Sequence, residues 1–159
     1  MATEQETDYM YMQVACAHSK ISKAVRAKVG ACLVTTQGVI LGGVNGTPKG
    51  MDNTCENKVE GAEGVEGAIL VTKPEVIHAE LQCILKAARE GVSCVDSSMY
   101  ITLSPCEPCA AMMIQAGIRR VRYLTQYRNT EGITLLKKAG IDVCQADNPT
   151  ILSEMQRCA

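Results

Sequence analysis

The sequence predicts an α/β fold with three α/β/α layers, in which helices cover both faces of a mixed sheet of about five strands. Two β-rich runs, residues 29–34 and 39–44, are separated by only four residues, which favours an antiparallel hairpin. Between residues 98 and 140, strand-like and helical segments alternate. Because that alternation is typical of parallel neighbours, the hairpin and the later strands together predict a mixed sheet.

Length and composition predict one soluble domain spanning residues 1–159. The chain has 47% hydrophobic and 21% charged residues, which is ordinary for a globular protein. No apolar run approaches the roughly 18 residues of a membrane span. Residues 1–8 are too polar and acidic for a signal peptide. We therefore expect a cytoplasmic protein with no membrane partner.

Charge and aromatic content argue against a long nucleic-acid partner. The formal net charge is −1, so no overall basic field attracts a polyanion. The chain has no Trp and no Phe, and its five Tyr are few for a surface that stacks successive bases. We expect no nucleic-acid polymer as a partner.

The chain is predicted to open with a packed helix over residues 8–21. Thr7 or Asp8 is available as its N-cap. The apolar residues that recur at helical spacing, and so form the expected buried face, are Met10, Val14, Ala17 and Ile21.

A glycine-rich loop, residues 42–50, follows the predicted hairpin. It is either a plain turn or a ligand loop, since glycines allow close approach and Asn45, Thr47 and Lys49 suit a sugar or a phosphate. An acidic insert, about residues 51–74, comes next and is longer than an ordinary connection. We expect this insert to act as a lid or an oligomer contact.

The second predicted helix, residues 79–90, is followed by a strand and a third helix. Gly91 is placed to end the second helix, and residues 98–103 alternate as a strand does. Pro105 and Pro108 suit the first turn of the third helix. The expected buried residues are Leu81, Ile84, Leu85 and Ala88 in the second helix, and Cys109, Met112, Met113 and Ala116 in the third.

The remaining segments are a strand and helix within residues 121–140, a short strand at 141–144 and a tail of about residues 145–159. Arg119, Arg120 and Arg122 form a basic run, expected to be a solvated edge or a subunit contact, with phosphate binding as the alternative. The nine cysteines are odd in number, and we expect Cys16, Cys32 and Cys83 to fill the core.

The residues from 77 to 109 predict a catalytic zinc site. His78, Cys106 and Cys109 are good Zn²⁺ ligands, and a catalytic zinc keeps its fourth position for water. Glu80 follows the His by two positions, as in the H-x-E…P-C-x-x-C signature of zinc nucleobase deaminases. Two strand-to-helix turns place the ligands at helix N-termini, where thiolates are favoured.

Two other interpretations of this motif remain open. Cys106 and Cys109 could form a thioredoxin-like redox pair, although that leaves His78 and Glu80 unexplained. They could also belong to a closed structural zinc site whose fourth ligand is His18 or another Cys. Glu80 could in turn be a carboxylate that only stabilises its helix.

The chain resembles the deoxycytidylate (dCMP) deaminases, of the zinc-dependent cytidine/deoxycytidylate deaminase superfamily, from about residue 8 to residue 143. The resemblance is carried by residues 22–31, by the loop at 43–53, by the two zinc motifs and by residues 127–132. It implies a cytidine-deaminase-like fold and hydrolytic conversion of dCMP to dUMP and ammonia, feeding dTMP synthesis. In that reaction a zinc-activated hydroxide attacks C4 of cytosine and Glu80 moves the protons.

The resemblance also implies ligands and partners. We expect regulation by dCTP as activator and dTTP as inhibitor, with Mg²⁺, in a homo-oligomer that is typically a hexamer. Alternatives are a deaminase that also accepts dCTP, or a tRNA/DNA-editing or other nucleobase deaminase with the same zinc chemistry. The expected substrate-binding residues are Arg26, Asn45, Thr47, Ala79, Ser104 and Tyr127.

Overall fold

The computed structural model describes residues 1–61 and 67–146, which contain four helices and seven strands. After an initial helix and two hairpins, helices and strands alternate along the chain. The helices are α1 (Glu4–Ser19), α2 (Ala79–Glu90), α3 (Glu107–Gln115) and α4 (Glu131–Lys138). The strands are β1 (Gly30–Val34), β2 (Ile40–Val44), β3 (Glu56–Glu60), β4 (Ala68–Thr72), β5 (Ser98–Leu103), β6 (Arg120–Thr125) and β7 (Asp142–Gln145).

The main sheet confirms the predicted mixed five-stranded architecture. Its strand order is β2-β1-β5-β6-β7. β1 is antiparallel to both β2 and β5, whereas β5–β6 and β6–β7 are parallel pairs. The sheet therefore begins as a hairpin and continues through two strand–helix units, as the spacing of the segments predicted.

Helices pack on both faces of this sheet. Alternate residues of the central strands are therefore buried in two separate clusters, one on each face. Met99 and Ile101 of β5 join one cluster with residues of α2, α3 and α4. Tyr100 joins the other with Met12 and Ala15 of α1. Cys16, Cys32 and Cys83 are all buried, which confirms that they fill the core.

The N-terminal helix begins earlier than predicted and buries a different face. It begins at Glu4 because Thr3 and Glu6 form a capping box, in which each side chain hydrogen-bonds to the other's backbone N–H. The buried residues are Met12, Ala15 and Cys16, while Met10 and Ile21 of the predicted face are exposed.

The bounds of α2 match the prediction, but its buried face consists of smaller residues. Gly91 ends the helix in a left-handed conformation, with φ of 66°. Ala79, Cys83 and Ala87 are buried, whereas Leu85 is 46% exposed and Ala88 is also exposed. Small residues are needed here because α2 packs close to β2. A Cβ at Gly43 would lie 2.1 Å from the carbonyl oxygen of Ala79. The buried face of α3 also differs in part from the prediction. Ala110, which was not predicted to be buried, is buried, whereas Met112, which was, is 37% exposed.

The prediction of a solvated edge for the basic run is wrong for two of its arginines. Arg122 is only 8% exposed, and its guanidinium donates to Asp8 at 3.1 Å and to Asp142 at 2.8 Å. Arg120 donates to Asp8 at 2.8 Å and also contacts Glu4. These ion pairs connect α1 to β6 and β7, so the arginines stabilise the fold.

The insert contains a hairpin that the sequence did not reveal. Strands β3 and β4 form a separate two-stranded antiparallel sheet, with Glu56 paired with Thr72 at its base. Residues 62–66 of the predicted insert and 147–159 of the predicted tail lie outside the described part of the chain. Among the described helices, none combines the length and apolar character needed to cross a membrane.

Candidate active site

Three predicted metal ligands converge where two helices begin. His78 is the N-cap of α2 and Cys106 is the N-cap of α3. Cys109 lies in the first turn of α3 and is buried. Nδ1 of His78 lies 3.5 Å from Sγ of Cys106 and 3.3 Å from Sγ of Cys109. Extended backbone at both N-caps directs these side chains away from their helices and towards each other.

This donor set fits a zinc ion. The three ligand atoms all lie within 4.8 Å of one another. Tetrahedral zinc, with Zn–N of about 2.0–2.1 Å and Zn–S of about 2.3 Å, separates a nitrogen and a sulfur ligand by about 3.6 Å. The observed separations of 3.3 and 3.5 Å are close to that value. One imidazole and two thiolates are also the ligands that zinc prefers in proteins.

The thiols of this cluster are already polarised by their neighbours. Hydrogen bonds from Cys109, and next from His78, lower the pKa of Cys106 to about 4 despite partial burial. The same hydrogen bond raises the pKa of Cys109, so the pair retains one proton between them. The bond with Cys106 also raises the pKa of His78. A divalent cation in the cluster would replace that shared proton.

Glu80 lies in the first turn of α2, two residues after His78, and its side chain is buried at 4% exposure. Burial raises its pKa to about 7, although its own backbone N–H and His78 act in the opposite direction. A carboxyl group whose only purpose was to stabilise the helix N-terminus would be expected in solvent, as Glu107 of α3 is. Its position beside the predicted metal ligands favours a chemical role.

A cavity of about 360 Å³ opens onto this cluster. Five of the six predicted substrate-binding residues line it, together with His78, Glu80 and Cys106. The nearby side chains include a guanidinium, an amide and a phenol, which are suited to a polar ligand of nucleotide size. The five are Arg26, Asn45, Ala79, Ser104 and Tyr127.

The sixth residue, Thr47, is not among the residues that line the cavity. Its hydroxyl donates to the carbonyl oxygen of Asp52 at 2.8 Å, which stabilises the loop instead. Lys49 is exposed and also lies outside the lining. Two of the glycines before them pack against other parts of the protein. Gly42 packs against His18 and Gly43 against α2, within strand β2.

Asn45 hydrogen-bonds to the segment between α1 and β1. Its Oδ1 accepts from the hydroxyl of Ser22 at 2.7 Å and from the backbone N–H of Val29 at 2.9 Å. Its Nδ2 donates to the carbonyl of Ala27 at 2.8 Å. Three of its four hydrogen-bonding positions are therefore occupied by the protein, and one N–H remains for a ligand.

The two alternative interpretations of the cysteine pair are not supported by the described residues. His18, the proposed fourth ligand of a closed site, hydrogen-bonds through Nδ1 to the carbonyl of Val14 and packs at Gly42. In the described part of the chain, the one His/Cys/acidic cluster that could hold a metal is His78, Cys106 and Cys109. A thioredoxin-like pair would not require a histidine in contact with both thiols.

Two residues of the insert, Glu56 and Thr72, also line the cavity and were not predicted to do so, as does Val76 just after the insert. Glu56 is 7% exposed although it lies at the start of an otherwise exposed strand. The acidic composition of the insert gave no reason to single out this glutamate. A local signal was present only in the short β-prone run 68–72, which could have indicated the second strand of a hairpin.

Comparison with known proteins identifies related sequences. Residues 4–125 match the family model for the cytidine and deoxycytidylate deaminase zinc-binding region. The chain is 34% identical over 160 residues to the deoxycytidylate deaminase of Mus musculus, covering 89% of this chain and 83% of the mouse protein. It is 33% identical over 165 residues to that of Enterobacteria phage T4, covering 83% of this chain and 86% of the phage protein.

Solved structures show the same fold. The dCMP deaminase of the cyanophage S-TIM5, in complex with dCMP and dUMP, superimposes with a TM-score of 0.77 at 37% identity, covering 91% of this chain and 99% of that one. A structure from work on tRNA:A34 deaminases superimposes with a TM-score of 0.57 at 19% identity, covering 92% of this chain and 98% of the other. At that identity the second similarity concerns the fold alone.

Proposed function

Since the chain belongs to the cytidine and deoxycytidylate deaminase family, we propose that it catalyses the hydrolytic deamination of dCMP to dUMP with release of ammonia. The observation that carries this proposal is the placement of Glu80 beside the His78, Cys106 and Cys109 cluster in a cavity of about 360 Å³. The relatives named deoxycytidylate deaminase, and the cyanophage enzyme bound to dCMP and dUMP, support this substrate.

The reaction replaces the C4–N bond of cytosine by a C4–O bond from water. When bound by His78, Cys106 and Cys109, zinc supplies Lewis-acid activation of the attacking water. Glu80 accepts one proton of that water and delivers it to N3, then takes the second proton from the new C4 hydroxyl and delivers it to the departing amine. Its burial excludes bulk solvent from these transfers, and its fixed place in the first turn of α2 keeps it beside the ligands.

The remaining lining residues are proposed to hold the nucleotide. Arg26 binds the 5′-phosphate, because a guanidinium can make two parallel hydrogen bonds to phosphate oxygens. Asn45 offers its free N–H to the deoxynucleotide, and Tyr127, which also lines the cavity, contacts it as well. The backbone N–H of Tyr127 donates to Ser104 Oγ at 2.8 Å, which fixes the two segments relative to each other. Ala79 and Ser104, which line the cavity, are proposed to contact the cytosine ring through their backbone groups.

The decisive experiment is an ammonia-release screen on purified, zinc-loaded protein. It compares dCMP, CMP, deoxycytidine, dCTP and guanine at matched concentrations. We expect the highest kcat/KM for dCMP. Activity confined to guanine, or ammonia release from none of the five, would contradict the proposal. Appreciable turnover of dCTP would show that the triphosphate is a second substrate.

An editing deaminase that acts on tRNA or DNA is the other candidate, with the same metal chemistry. The formal net charge of −1 argues against it, because a polymer binder should neutralise several phosphates. A matched assay with single-stranded DNA and tRNA substrates distinguishes the two, since an editing enzyme deaminates the polymer in preference to dCMP.

We also propose the regulation that the resemblance to the deoxycytidylate deaminases implies. dCTP is proposed to activate the enzyme and dTTP to inhibit it, with Mg²⁺ bound to the effector, in a cytoplasmic homo-oligomer of six chains. Effector control of this kind requires two sites joined by a coupling free energy of about 1–3 kcal/mol. The hairpin of the insert supports the proposal because it contacts the cavity through Glu56 and Thr72.

A further inference from the structure

Arg26 lies in a segment, residues 20–29, that contains neither helix nor strand. Because the backbone N–H groups of such a segment lack regular partners, other parts of the molecule must supply hydrogen bonds to hold it. On one side these come from Asn45, as described above. On the other side they come from the β3–β4 hairpin.

Glu56 of β3 holds the backbone at Arg26. One carboxylate oxygen, Oε1, accepts from the N–H of Val25 at 2.9 Å and from the N–H of Arg26 at 3.1 Å. Hydrogen bonds to an ionised carboxylate are stronger than those between neutral groups. Two successive N–H groups bound to one oxygen fix the intervening peptide, and therefore fix the direction in which the Arg26 side chain leaves the backbone.

Thr72 of β4 holds the other end of the same residue. Its Oγ1 accepts from Nη1 of Arg26 at 3.1 Å. Glu56 and Thr72 are directly paired across the hairpin, so their side chains project from the same face. A single cross-strand pair thus binds both the backbone and the guanidinium of Arg26, and all three residues line the cavity.

The guanidinium is left available for an anion. It makes no salt bridge to any carboxylate in the described part of the chain, and Thr72 occupies only one of its five N–H donors. From this arrangement we infer that Glu56 and Thr72 are positioning residues that aim Arg26 at the 5′-phosphate of the substrate. The inference rests on the proposed function, because it requires a nucleotide whose phosphate reaches Arg26.

A competing effect has the opposite sign, which makes the inference testable. A carboxylate near a phosphate repels it, so if Glu56 acted only through its charge, removing that charge would improve the use of dCMP. Glu56→Gln separates the two effects. The variant keeps an oxygen that can accept both N–H bonds but loses the charge, whereas Glu56→Ala loses both.

The experiment compares kcat and KM for dCMP and deoxycytidine in zinc-loaded wild type, Glu56→Ala, Glu56→Gln and Thr72→Val. Asn57→Ala is the matched control, since Asn57 is the next residue of the same strand and is exposed on the opposite face. We expect Glu56→Ala to lower kcat/KM for dCMP by about 10- to 100-fold, mainly through KM, without a comparable loss for deoxycytidine. Glu56→Gln should preserve the preference for dCMP, and Thr72→Val should reduce it by a smaller factor.

Double variants test whether the effect passes through Arg26. Arg26→Ala should lose the preference for dCMP, and adding Glu56→Ala should then cost little more, because residues that act through one another are not additive. Calorimetric binding of dUMP should follow the same order as KM. These measurements require that zinc content and thermal unfolding match those of the wild type.

Three results would overturn the inference. They are an equal loss for both substrates in Glu56→Ala, a gain for dCMP in both Glu56 variants, or full additivity with Arg26→Ala. If Glu56→Ala does not fold, Thr72→Val decides, and an unchanged substrate preference in that variant counts against the inference. A wild type that does not prefer dCMP to deoxycytidine would instead remove the proposed function.

Discussion

Gly132, in the first turn of α4, packs directly against the carbonyl of Pro105, the residue before the proposed metal ligand Cys106. A Cβ placed on Gly132 would lie 2.1 Å from that oxygen and 2.9 Å from the carbonyl carbon of Cys106. Neither is the flexible end of a side chain, so the backbone itself would have to move. α4 therefore fixes the position of the ligand loop.

We predict that Gly132→Ala destabilises the protein and loosens the metal site. Overpacking of this kind costs about 1–3 kcal/mol, and the displaced peptide carries Cys106. Urea unfolding and the zinc content after dialysis against a weak chelator are the measurements. Gly46→Ala is the control, since a Cβ there meets nothing within 4 Å. Wild-type stability together with wild-type zinc retention in Gly132→Ala would show that the close contact has no consequence.

The metal cluster predicts one zinc per chain and activity that depends on it. His78→Ala, Cys106→Ser and Cys109→Ser should each lose zinc and ammonia release, because each removes one of three ligands. Cys144→Ser is the control, since this thiol is exposed on β7. Elemental analysis and activity after chelation and zinc readdition are the tests. Full activity in metal-free protein would refute the prediction.

Glu80→Gln should keep the fold and the zinc while losing ammonia release by about 10²–10⁴-fold or more. Glutamine has a similar size but cannot accept and return a proton, and general acid–base groups typically contribute that factor. Glu107→Gln is the matched control, because Glu107 lies in the first turn of α3 and is exposed. Near-normal turnover by zinc-replete Glu80→Gln would exclude the assigned proton transfers.

Asp142 predicts a pH-dependent contribution to stability. The hydrogen bond from Arg122 holds the pKa of this carboxyl below its ordinary value of about 3.9. Because the folded-state pKa is depressed, the contribution is present above the unfolded pKa and is lost as pH falls through the folded pKa. It should not exceed about 1 kcal/mol, since the side chain of Asp142 is 62% exposed.

The test compares the unfolding free energies of wild type and Asp142→Asn. The difference should be present near neutral pH and shrink steadily below about pH 4. Glu90→Gln, at an exposed ion pair with Arg89, is the control for general charge effects. A difference that grows on acidification would contradict the sign of this argument.

Regulation predicts a velocity curve that depends on nucleotides other than the substrate. With Mg²⁺ present, dCTP should lower the concentration of dCMP needed for half-maximal velocity, and dTTP should raise it. Light scattering on the same sample should give a mass of several chains. A monomer with hyperbolic kinetics that ignores both nucleotides would refute the regulatory proposal and leave the catalytic one intact.

The metal site and the sheet could be predicted because their signals are local. His78 and Glu80 are two residues apart, as the chemistry requires, and the Cys106–Cys109 spacing brings both thiols to one helix turn. Strands β1, β2 and β5 are short apolar runs with clear ends. In each case the signal is carried by short runs of neighbouring residues, although the two zinc motifs themselves lie 28 residues apart.

The predictions of burial failed where the deciding contact is made with a segment distant in the sequence, or where close packing requires a small residue. Arg122 looked solvated because its partners, Asp8 and Asp142, lie far away in the sequence. For α2, the large apolar residues predict a buried face that differs from the observed one. The observed face consists of alanine and cysteine because β2 approaches the helix closely. Glu56 resembled the other acidic residues of the insert, and only its contacts with Val25 and Arg26 distinguish it.

The pairing of β1 with β5 joins distant parts of the chain, for example Val34 with Ser98. The sheet centre can therefore form only after a long loop has closed, which slows folding relative to helical proteins of this size. The β3–β4 hairpin lies inside that loop. Because closure entropy grows only logarithmically with loop length, doubling the loop would cost about 0.6 kcal/mol. Evolution can thus lengthen or shorten this hairpin with little effect on the folding of the strands around it.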